Sequence, residues 1–379
     1  MEGNNKTRRE FINLTTAGVG AVLAGVGAAA TATTVASCAG SAADSQDSKP
    51  IGFAFAGVGS LTRSQLLPAL SETRYARPAG LITGSPDRAA DVAAEHGIPA
   101  TSIYAYDDMA RMAENPDIDV VYIVTPNSLH LEHALAAAAA GKHVLCEKPM
   151  AISVAECEAM IAGCREAGVR LAVGYRLQFE AHHLEMMRLA QEEVFGGPRV
   201  MEAGFGFRLG NPSQWRLDRE LAGGGCLIDA GIYALQACRY ISGEEPIEVM
   251  AQQISRDPER FSQVEESITW QMRFPSGLLA NCSSSYNARA MDRVKVYAEN
   301  GWFGLEPAYR YGGLEGTRLD GERIRFEHRN HFAVEMDDFA QCILEDRESK
   351  VSGEEGLKDL RVIEAIYQSA RTGQAVQVA

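Results

Sequence analysis

Cysteine is sparse in this chain, and its spacing fits neither a disulfide scaffold nor a metal site. Eight cysteines occur among 379 residues, with no Cys-x-x-Cys pair. Small secreted domains that depend on disulfides are shorter and much denser in cysteine. The cysteines after Cys38 are therefore predicted to be buried thiols. No cluster of His, Cys and Asp residues suggests a metal, so no metal site is predicted.

Basic residues are also in the minority. Lys and Arg number 36 against 50 Asp and Glu, which gives a net charge of −14. Because no basic stripe, RNA-binding motif or zinc-finger spacing is present, nucleic acid is excluded as a partner. No internal repeat is visible either. Roughly 330 residues follow the N-terminal region, which exceeds one ordinary core and predicts two domains.

Charge is absent from Phe11 to Ala36, directly after the pair Arg8 and Arg9. A twin arginine before a weakly apolar run is typical of a signal that exports folded proteins, and a retained membrane helix is the alternative. The segment 35–38 resembles a lipoprotein cleavage motif, which predicts a lipid anchor at Cys38, with ordinary cleavage nearby as the alternative. We therefore predict a twin-arginine signal peptide over residues 1–38, a polar linker over residues 39–50, and a periplasmic or outer-surface location.

A short apolar strand, 51–56, leads into a glycine-containing turn and a helix-like stretch. Gly57 permits the tight turn, and Gly59 lets a pyrophosphate approach the backbone at the start of the helix. Thr62 replaces the third glycine of the dinucleotide-binding fingerprint. Its position after the first strand of a βαβ unit still predicts a dinucleotide site. The expected cofactor contacts are Gly57, Val58, Gly59, Ser60 and Leu61.

The end of the second strand lacks the acidic residue that usually binds the ribose of NAD. Gly84 and Ser85 stand there instead, and Arg88 follows on the next helix. A small donor and a guanidinium suit a 2′-phosphate, so NADP is favoured over NAD. In the alternative, Arg88 is a solvated helix residue and Asp87 contacts the ribose.

The tripeptide Glu147-Lys148-Pro149 follows another strand-like run. Proline restricts the residue before it, so Lys148 is held in an extended backbone. The carboxyl end of a parallel sheet is where a nicotinamide and a small substrate would meet. Glu147 and Lys148 are therefore predicted to contact the cofactor, and Lys148 also the substrate.

Three polar residues follow the buried strand 119–124. Thr125 and Asn127 stand at the same edge of the sheet, so both are predicted to contact the cofactor. His130 begins the next helix. It is predicted as a further cofactor contact, with a capping or packing role as the equal alternative.

These segments together resemble the glucose–fructose oxidoreductase, inositol dehydrogenase and rhizopine oxidoreductase family (Gfo/Idh/MocA). The matching pieces run in order along the chain as 56–59, 125–130, 141–151 and 174–176. The resemblance implies an α/β protein with an N-terminal Rossmann dinucleotide-binding domain, residues 51–175. A C-terminal α+β domain, residues 176–379, would carry a large, mostly antiparallel open sheet for substrate binding and subunit pairing.

The residue pattern after Tyr175 supports the second domain. Five alternating segments are predicted to be antiparallel strands, 200–207, 247–254, 266–274, 278–285 and 293–298. A glycine-rich loop, 214–225, precedes a helix that begins near Leu227 and carries Asp229 and Tyr233. These two side chains are four residues apart, so they share one helical face, where a local hydrogen bond is the usual outcome.

The stretch from Trp215 to Tyr233 resembles the glucose–fructose oxidoreductase branch, in which Tyr replaces the His of most relatives. The resemblance implies that Tyr233 is the acid/base in oxidation of an aldose at its anomeric carbon. Lys148 would favour the phenolate and hold the sugar hydroxyl, and Asp229 would orient the sugar. It also implies that the cofactor's phosphates and nicotinamide side are lined by Arg176, Trp215 and Arg216.

The sequence thus predicts a periplasmic NADP-dependent sugar oxidoreductase, with reoxidation of the cofactor by a second sugar as a further expectation. A sugar 1-dehydrogenase with exchangeable NADP(H) is the alternative enzyme. A catalytically idle sugar- or nucleotide-binding protein on the same fold is the alternative of another class. A homo-oligomer, dimer or tetramer, is expected. Only residues 39–50 stand where glucose–fructose oxidoreductase has a long proline-rich arm, which places that enzyme's tetramer in question here.

Overall fold

Six short, mostly apolar segments form the first sheet of the protein, whose computed structural model describes residues 49–378. They are β1 (Ile51–Ala56), β2 (Ala76–Ile82), β3 (Ile103–Tyr104), β4 (Val120–Ile123), β5 (His143–Glu147) and β6 (Leu171–Gly174). All neighbours pair in parallel, in the order β3-β2-β1-β4-β5-β6. Such runs suit strands that are buried on both faces. The order is that of a Rossmann fold, whose ligand crevice opens where β1 meets β4.

Nine α-helical segments occur in the described residues, and several join π or 3₁₀ turns. They are α1 (Leu67–Ala69), α2 (Pro86–Glu95), α3 (His130–Ala139), α4 (Val154–Glu166), α5 (Ala181–Gln191), α6 (Arg219–Ala222), α7 (Ile232–Ser242), α8 (His331–Leu344) and α9 (Gly353–Thr372). The π-helical turns are Thr62–Leu66 and Leu227–Gly231. The 3₁₀ turns are Leu70–Glu72, Ala100–Ser102, Tyr106–Glu114, Asn127–Leu129, Arg176–Gln178 and Trp215–Leu217.

The second sheet has nine strands. They are β7 (Pro198–Gly206), β8 (Glu248–Ile254), β9 (Ser267–Arg273), β10 (Leu279–Ser285), β11 (Met291–Ala298), β12 (Gly301–Leu305), β13 (Gly316–Arg318), β14 (Arg323–Ile324) and β15 (Val376–Gln377). Their order is β14-β13-β12-β11-β7-β10-β9-β8-β15. Together the two sheets confirm the predicted α/β class, with a Rossmann domain and a mostly antiparallel open second sheet.

The second sheet differs from the prediction in two respects. The pair β7 and β10 runs parallel, because the chain between them passes through α7 and a β8–β9 hairpin. Four strands, β12 to β15, were not predicted. Glycines at positions 301 and 304 interrupt the alternation in β12, and the other three strands are only two or three residues long.

The C-terminal helices return the chain to the first sheet. The backbone N–H of Val173 in β6 donates to the carbonyl oxygen of Val351, just before α9. Helix α8 places Glu335 against β4 and β5, as its hydrogen bond to Tyr122 shows. All seven cysteines of the described residues are buried and free, as predicted. The predicted signal peptide, with Arg8, Arg9 and Cys38, lies outside the described residues.

Candidate active site

The glycine turn after β1 leaves open space at the edge of the sheet. Gly57 has φ of +105°, and a Cβ there would lie 2.7 Å from the Val124 carbonyl oxygen, so only glycine fits. A Cβ at Gly59 would meet no atom within 4 Å. Thr62 closes the turn, because its buried hydroxyl donates to the Gly57 carbonyl oxygen at 2.5 Å. A glycine at position 62 could not make this hydrogen bond. The backbone at Gly59 nevertheless stays open to a pyrophosphate.

The other residues predicted on this turn either line a cavity or pack against the core. Val58, Gly59 and Ser60 line a cavity of about 530 Å³ between the turn and α2. Leu61 packs against the hydrophobic core. A cavity with exposed backbone at a helix start fits the dinucleotide that the sequence predicts.

The end of β2 presents its polar residues to solvent. Gly84, Ser85 and Arg88 are exposed, and Ser85 is the N-cap position of α2 without using its hydroxyl as a cap. That hydroxyl and the Arg88 guanidinium remain available, and the positive end of the helix dipole lies beside them. Asp87 is exposed in the same turn, so the alternative ribose contact is sterically open as well.

Thr125, Asn127 and His130 lie at the predicted edge of the sheet, and their side chains form hydrogen bonds with other groups of the protein. The Thr125 hydroxyl lies 3.1 Å from Nδ1 of His133, and the Asn127 amide donates to the Ala222 carbonyl oxygen at 2.9 Å. His130 is buried, and its two ring nitrogens lie 2.9 Å from the carbonyl oxygens of Thr125 and Pro149.

These contacts bear on the two roles that the sequence left open for His130. Burial lowers the pKa of its imidazole to about 4, against the opposing effect of the carbonyl groups. Its ring joins the loop after β4 to the loop after β5, so the packing alternative describes it better than a cofactor contact does. Asn127 joins the same edge of the Rossmann sheet to α6.

Lys148 and Asp229 come together across the two domains. The Lys148 ammonium donates to the Asp229 carbonyl oxygen at 2.7 Å and lies 3.4 Å from its carboxylate. The same nitrogen lies 4.7 Å from the ring centroid of Tyr233. The three residues predicted to be catalytic therefore meet at the carboxyl end of β5, although they come from segments about 80 residues apart in the chain.

Arg176 holds the Tyr233 hydroxyl, which the sequence did not predict. Its Nε donates to the phenolic oxygen at 3.1 Å, and its guanidinium also stacks 4.5 Å from the ring centroid. A further guanidinium N–H donates to the Tyr309 carbonyl oxygen. Arg176 is buried beside Tyr233, and its predicted contact with the cofactor's phosphates and nicotinamide side stays a prediction.

Asp229 and Tyr233 make no hydrogen bond with each other in the described residues, contrary to the usual outcome for their spacing. Asp229 lies in the π-helical turn Leu227–Gly231, which widens the helix just before α7. Its carboxylate instead accepts from Arg216 Nε at 2.9 Å and from the Tyr286 hydroxyl at 3.0 Å.

The charge of Asp229 is strongly stabilised. Burial alone raises the pKa of this carboxyl, but the charges of Arg216 and Lys148 and its hydrogen bonds outweigh burial and lower it to about 2. Asp229 is therefore an anion at neutral pH, able to accept from sugar hydroxyls. Arg216 stacks on Trp215 with its guanidinium 4.5 Å from the ring centroid, so both predicted residues border this site.

Tyr286 and Tyr311 were missed by sequence reasoning. Tyr286 directly follows β10 and donates to Asp229, and the Tyr311 ring centroid lies 5.1 Å from the Arg176 guanidinium. Neither lies in a motif, and each is brought in by the second sheet from more than 50 residues away along the chain. Local spacing in the sequence therefore gave no sign of either residue.

The fold and this site define a class of protein. A Rossmann sheet with an open glycine turn, joined to an open-sheet domain that places a tyrosine beside a lysine at the sheet edge, is the architecture of a dinucleotide-dependent oxidoreductase. Among residues 49–378, no group of three His, Cys, Asp or Glu side chains is arranged to hold a metal.

The chain belongs to the GFO/IDH/MocA oxidoreductase family, which confirms the resemblance. Residues 51–175 match the family's NAD-binding Rossmann domain, and residues 183–304 match a GFO/IDH/MocA C-terminal domain. A D-xylose 1-dehydrogenase [NADP(+)] of Haloarcula marismortui is 32% identical over 337 residues, covering 87% of this chain and 93% of that protein. A 1,5-anhydro-D-fructose reductase of Ensifer adhaerens is 28% identical and covers 85% of this chain and 97% of that protein.

Solved structures of oxidoreductases are similar to this protein as well. The aldose-aldose oxidoreductase from Caulobacter crescentus, complexed with glycerol, is 44% identical with a TM-score of 0.84, covering 87% of this chain and all of that one. A levoglucosan dehydrogenase, at 21% identity and a TM-score of 0.77, shows the shared fold.

Proposed function

We propose that this protein oxidises an aldose at its anomeric carbon outside the cytoplasm, and that it reoxidises its bound cofactor with a second sugar. The predicted enzyme class and cofactor, an oxidoreductase of sugar CH–OH groups that uses NADP, are confirmed by relatives named as NADP-dependent xylose dehydrogenases and as an aldose-aldose oxidoreductase. The anomeric position, the second sugar and the compartment are the proposed parts.

One observation carries the proposal. The Tyr233 hydroxyl, the Lys148 ammonium and the Asp229 carboxylate converge at the carboxyl end of the Rossmann sheet, beside the edge where the glycine turn is open. A positioned tyrosine beside two cations is suited to take a proton from an alcohol.

The chain's own residues then have distinct tasks. NADP, when bound, supplies the acceptor for the hydride of the anomeric carbon. Tyr233 Oη, as the phenolate that Arg176 Nε stabilises by its hydrogen bond, takes the hydroxyl proton and becomes a neutral phenol. Lys148 adds a second positive charge over the ring, and the anionic Asp229 orients the sugar through its hydroxyls. The oxidation is balanced, because the sugar loses one proton to Tyr233 and one hydride to the NADP that would be bound.

The proposal of a second sugar rests on export and on similarity. A folded protein carried through the twin-arginine route would leave the cytoplasmic supply of NADP, so a retained cofactor would need a reoxidant outside. The name of the Caulobacter relative, an aldose-aldose oxidoreductase, describes such a two-sugar reaction for that protein.

The deciding test uses protein purified from cells without added nucleotide. We expect denaturation to release about one NADP per chain, identified by mass, as a retained cofactor requires. Adding one aldose alone should raise the absorbance of reduced nicotinamide by one equivalent, and adding a second sugar as acceptor should return it to the starting value. Fructose and a second aldose would be compared as acceptors.

A sugar 1-dehydrogenase with exchangeable NADP is the second candidate, favoured by the similarity to the Haloarcula enzyme. It would release no nucleotide on denaturation, and its turnover would require added NADP. An idle binding protein would show no absorbance change with any aldose even when NADP is supplied. Either result would contradict the two-sugar proposal.

Export is tested at the paired arginines. Replacing Arg8 and Arg9 together by lysine keeps the charge, yet it should leave an uncleaved precursor in the cytoplasm, because the twin-arginine route requires the pair. The neighbouring change Lys6→Arg is the matched control and should not alter export. Normal export of the double variant would contradict this route.

The lipid anchor is tested at Cys38 in the same cell fractions. If Cys38 is lipidated, Cys38→Ser should release the protein from the membrane fraction. If ordinary cleavage occurs instead, the parent protein is already in the soluble fraction and the variant should behave in the same way.

A further inference from the structure

A single hydroxyl group lies between two buried carboxyl groups behind the candidate active site. The Tyr122 oxygen lies 2.9 Å from Oε1 of Glu147 and 2.9 Å from Oε1 of Glu335. Tyr122 and Glu335 are almost fully enclosed, and Glu147 is buried as well. Glu147 precedes Lys148 in the chain, whereas Glu335 comes from α8 near the end of the protein.

The number of protons in this group decides its charge. A phenol has one proton and can donate it to one carboxylate only. If both carboxyls were ionised, one 2.9 Å contact would join two oxygens with no hydrogen between them, and two negative charges would share a dry site. A second proton on one carboxyl removes both problems, because that carboxyl donates to the phenol and the phenol donates to the other.

The surroundings indicate which carboxyl carries the proton. Glu147 faces the positive charges of Lys148 and Arg176, and its second oxygen accepts from the Lys148 backbone N–H at 3.2 Å. The second oxygen of Glu335 is buried and has no hydrogen-bond partner in residues 49–378. An unpartnered oxygen costs far less on a neutral acid than on an anion.

The charged and titratable groups around Glu335 point the same way. They are Tyr122 and Glu147 on the Rossmann sheet, Arg176 after it, Asp338 on the same helix, and Lys350 after that helix. Burial, with the charges of Glu147 and Asp338, raises the pKa of Glu335 well above its usual range, and Tyr122 and Arg176 only partly oppose this.

We propose that Glu335 is a neutral carboxylic acid in the folded protein and a positioning residue for Lys148. It donates to Tyr122, Tyr122 donates to the Glu147 carboxylate, and the fixed Glu147 holds the backbone from which Lys148 reaches Asp229. The catalytic consequence for Lys148 rests on the proposed function, whereas the proton on Glu335 does not.

The space around the chain of hydrogen bonds agrees with a fixed geometry. A Cβ at Gly174 would lie 3.1 Å from the Tyr122 hydroxyl and 3.2 Å from Oε1 of Glu147. Glycine at the end of β6 therefore leaves room for these two side chains and for little else.

The test compares Glu335→Gln with the matched change Glu147→Gln. Glutamine has the shape of glutamic acid, and its amide can donate to Tyr122 as the acid does, so Glu335→Gln should preserve the chain of hydrogen bonds. Infrared difference spectra of parent minus variant, taken at neutral pH without sugar, should show the C=O stretch of a protonated carboxylic acid for Glu335→Gln. The Glu147→Gln difference should show loss of a carboxylate band instead.

Positioning is read from rates and from rescue. Glu335→Ala should lower single-turnover sugar oxidation about tenfold, as loss of one buried hydrogen bond does, with little change in cofactor affinity. Glu335→Gln should restore the rate to within about threefold of the parent. A full rate in Glu335→Ala, or an equal loss in Glu335→Gln, would overturn the positioning role.

The infrared measurement decides the proton independently of turnover. A protonated-acid band that disappears in Glu147→Gln, or no such band in the parent, would overturn the assignment to Glu335. Failure of the parent to oxidise any aldose would count against the proposed function and would leave the infrared result standing.

Discussion

Tyr233→Phe is expected to slow reduction of bound NADP by an aldose about 10²–10⁴-fold, the usual contribution of general acid–base catalysis. The change removes only the phenolic oxygen, which is proposed to take the substrate proton in its deprotonated form. Single-turnover absorbance measures this step apart from product release. Cofactor content, measured from the nucleotide released on denaturation, should equal that of the parent.

The fold should survive this substitution because the ring keeps its packing. Tyr233 packs edge-on against Phe205, with 5.5 Å between ring centroids, and at a tilt against Tyr309, with 6.0 Å between centroids. The one hydrogen bond lost is that from Arg176 Nε, whose guanidinium retains the Tyr309 carbonyl oxygen. Loss of a hydrogen bond to a charged group costs about 1.5–3 kcal/mol of stability, which an intact core of this size can bear.

Tyr309→Phe is the matched control, because it removes a hydroxyl from a neighbouring ring. Among the described residues, that hydroxyl makes one long hydrogen bond, 3.4 Å to the Arg293 carbonyl oxygen, and none to Tyr233 or Arg176. Near-parental oxidation is expected for Tyr309→Phe. Parental NADP reduction by Tyr233→Phe would show that the acid/base is another group, with Asp229 the next to examine.

Lys148 variants complete this experiment. Lys148→Ala should lose at least as much activity as Tyr233→Phe, because the ammonium contacts both Asp229 and the Tyr233 ring. Lys148→Arg should recover little, since a planar guanidinium cannot take the place of a compact ammonium between these groups. Recovery by arginine would mean that charge alone, without geometry, is what the site requires.

Local pattern was enough to predict the parts of the fold and site that lie within one stretch of chain. The glycine turn, the buried strands of the Rossmann sheet and the Glu147-Lys148-Pro149 segment each depend on neighbours in sequence, so their positions followed from spacing. The family resemblance then predicted that Asp229 and Tyr233 share a site with Lys148, which could not be predicted from spacing alone.

Contacts across the two sheets were beyond such reasoning. Nothing in the sequence indicated that Arg176 donates a hydrogen bond to the Tyr233 hydroxyl, 57 residues away in the chain. Tyr286 reaches Asp229 because β10 runs parallel to β7, a pairing that alternation cannot reveal. Nothing in the local sequence marks Glu335, since glutamate is among the residues that are rarely fully buried.

The second large effect is expected at the end of β2. Gly84→Asp should weaken NADP binding about 10–100-fold and improve binding of NAD, because a carboxylate would face the 2′-phosphate where an NAD enzyme binds the ribose. Two unit charges at about 4 Å repel by about 1 kcal/mol in water and about 4 kcal/mol near a protein surface. Gly84 is exposed, so the lower part of this range applies to each phosphate charge.

The substitution is sterically mild, which makes the result interpretable. A Cβ at Gly84 would lie 3.6 Å from the nearest atom, on the Tyr106 ring, which is ordinary contact, and the backbone there is not left-handed. Titration of nucleotide-free protein by tryptophan fluorescence would give both affinities. Gly84→Asn is the neutral control and should retain the NADP preference, because it adds the same bulk without the charge. If Asn and Asp variants shift the preference equally, bulk rather than charge governs this position. If the parent binds both cofactors equally, neither Ser85 nor Arg88 reads the 2′-phosphate, and Asp87 becomes the residue that faces the ribose.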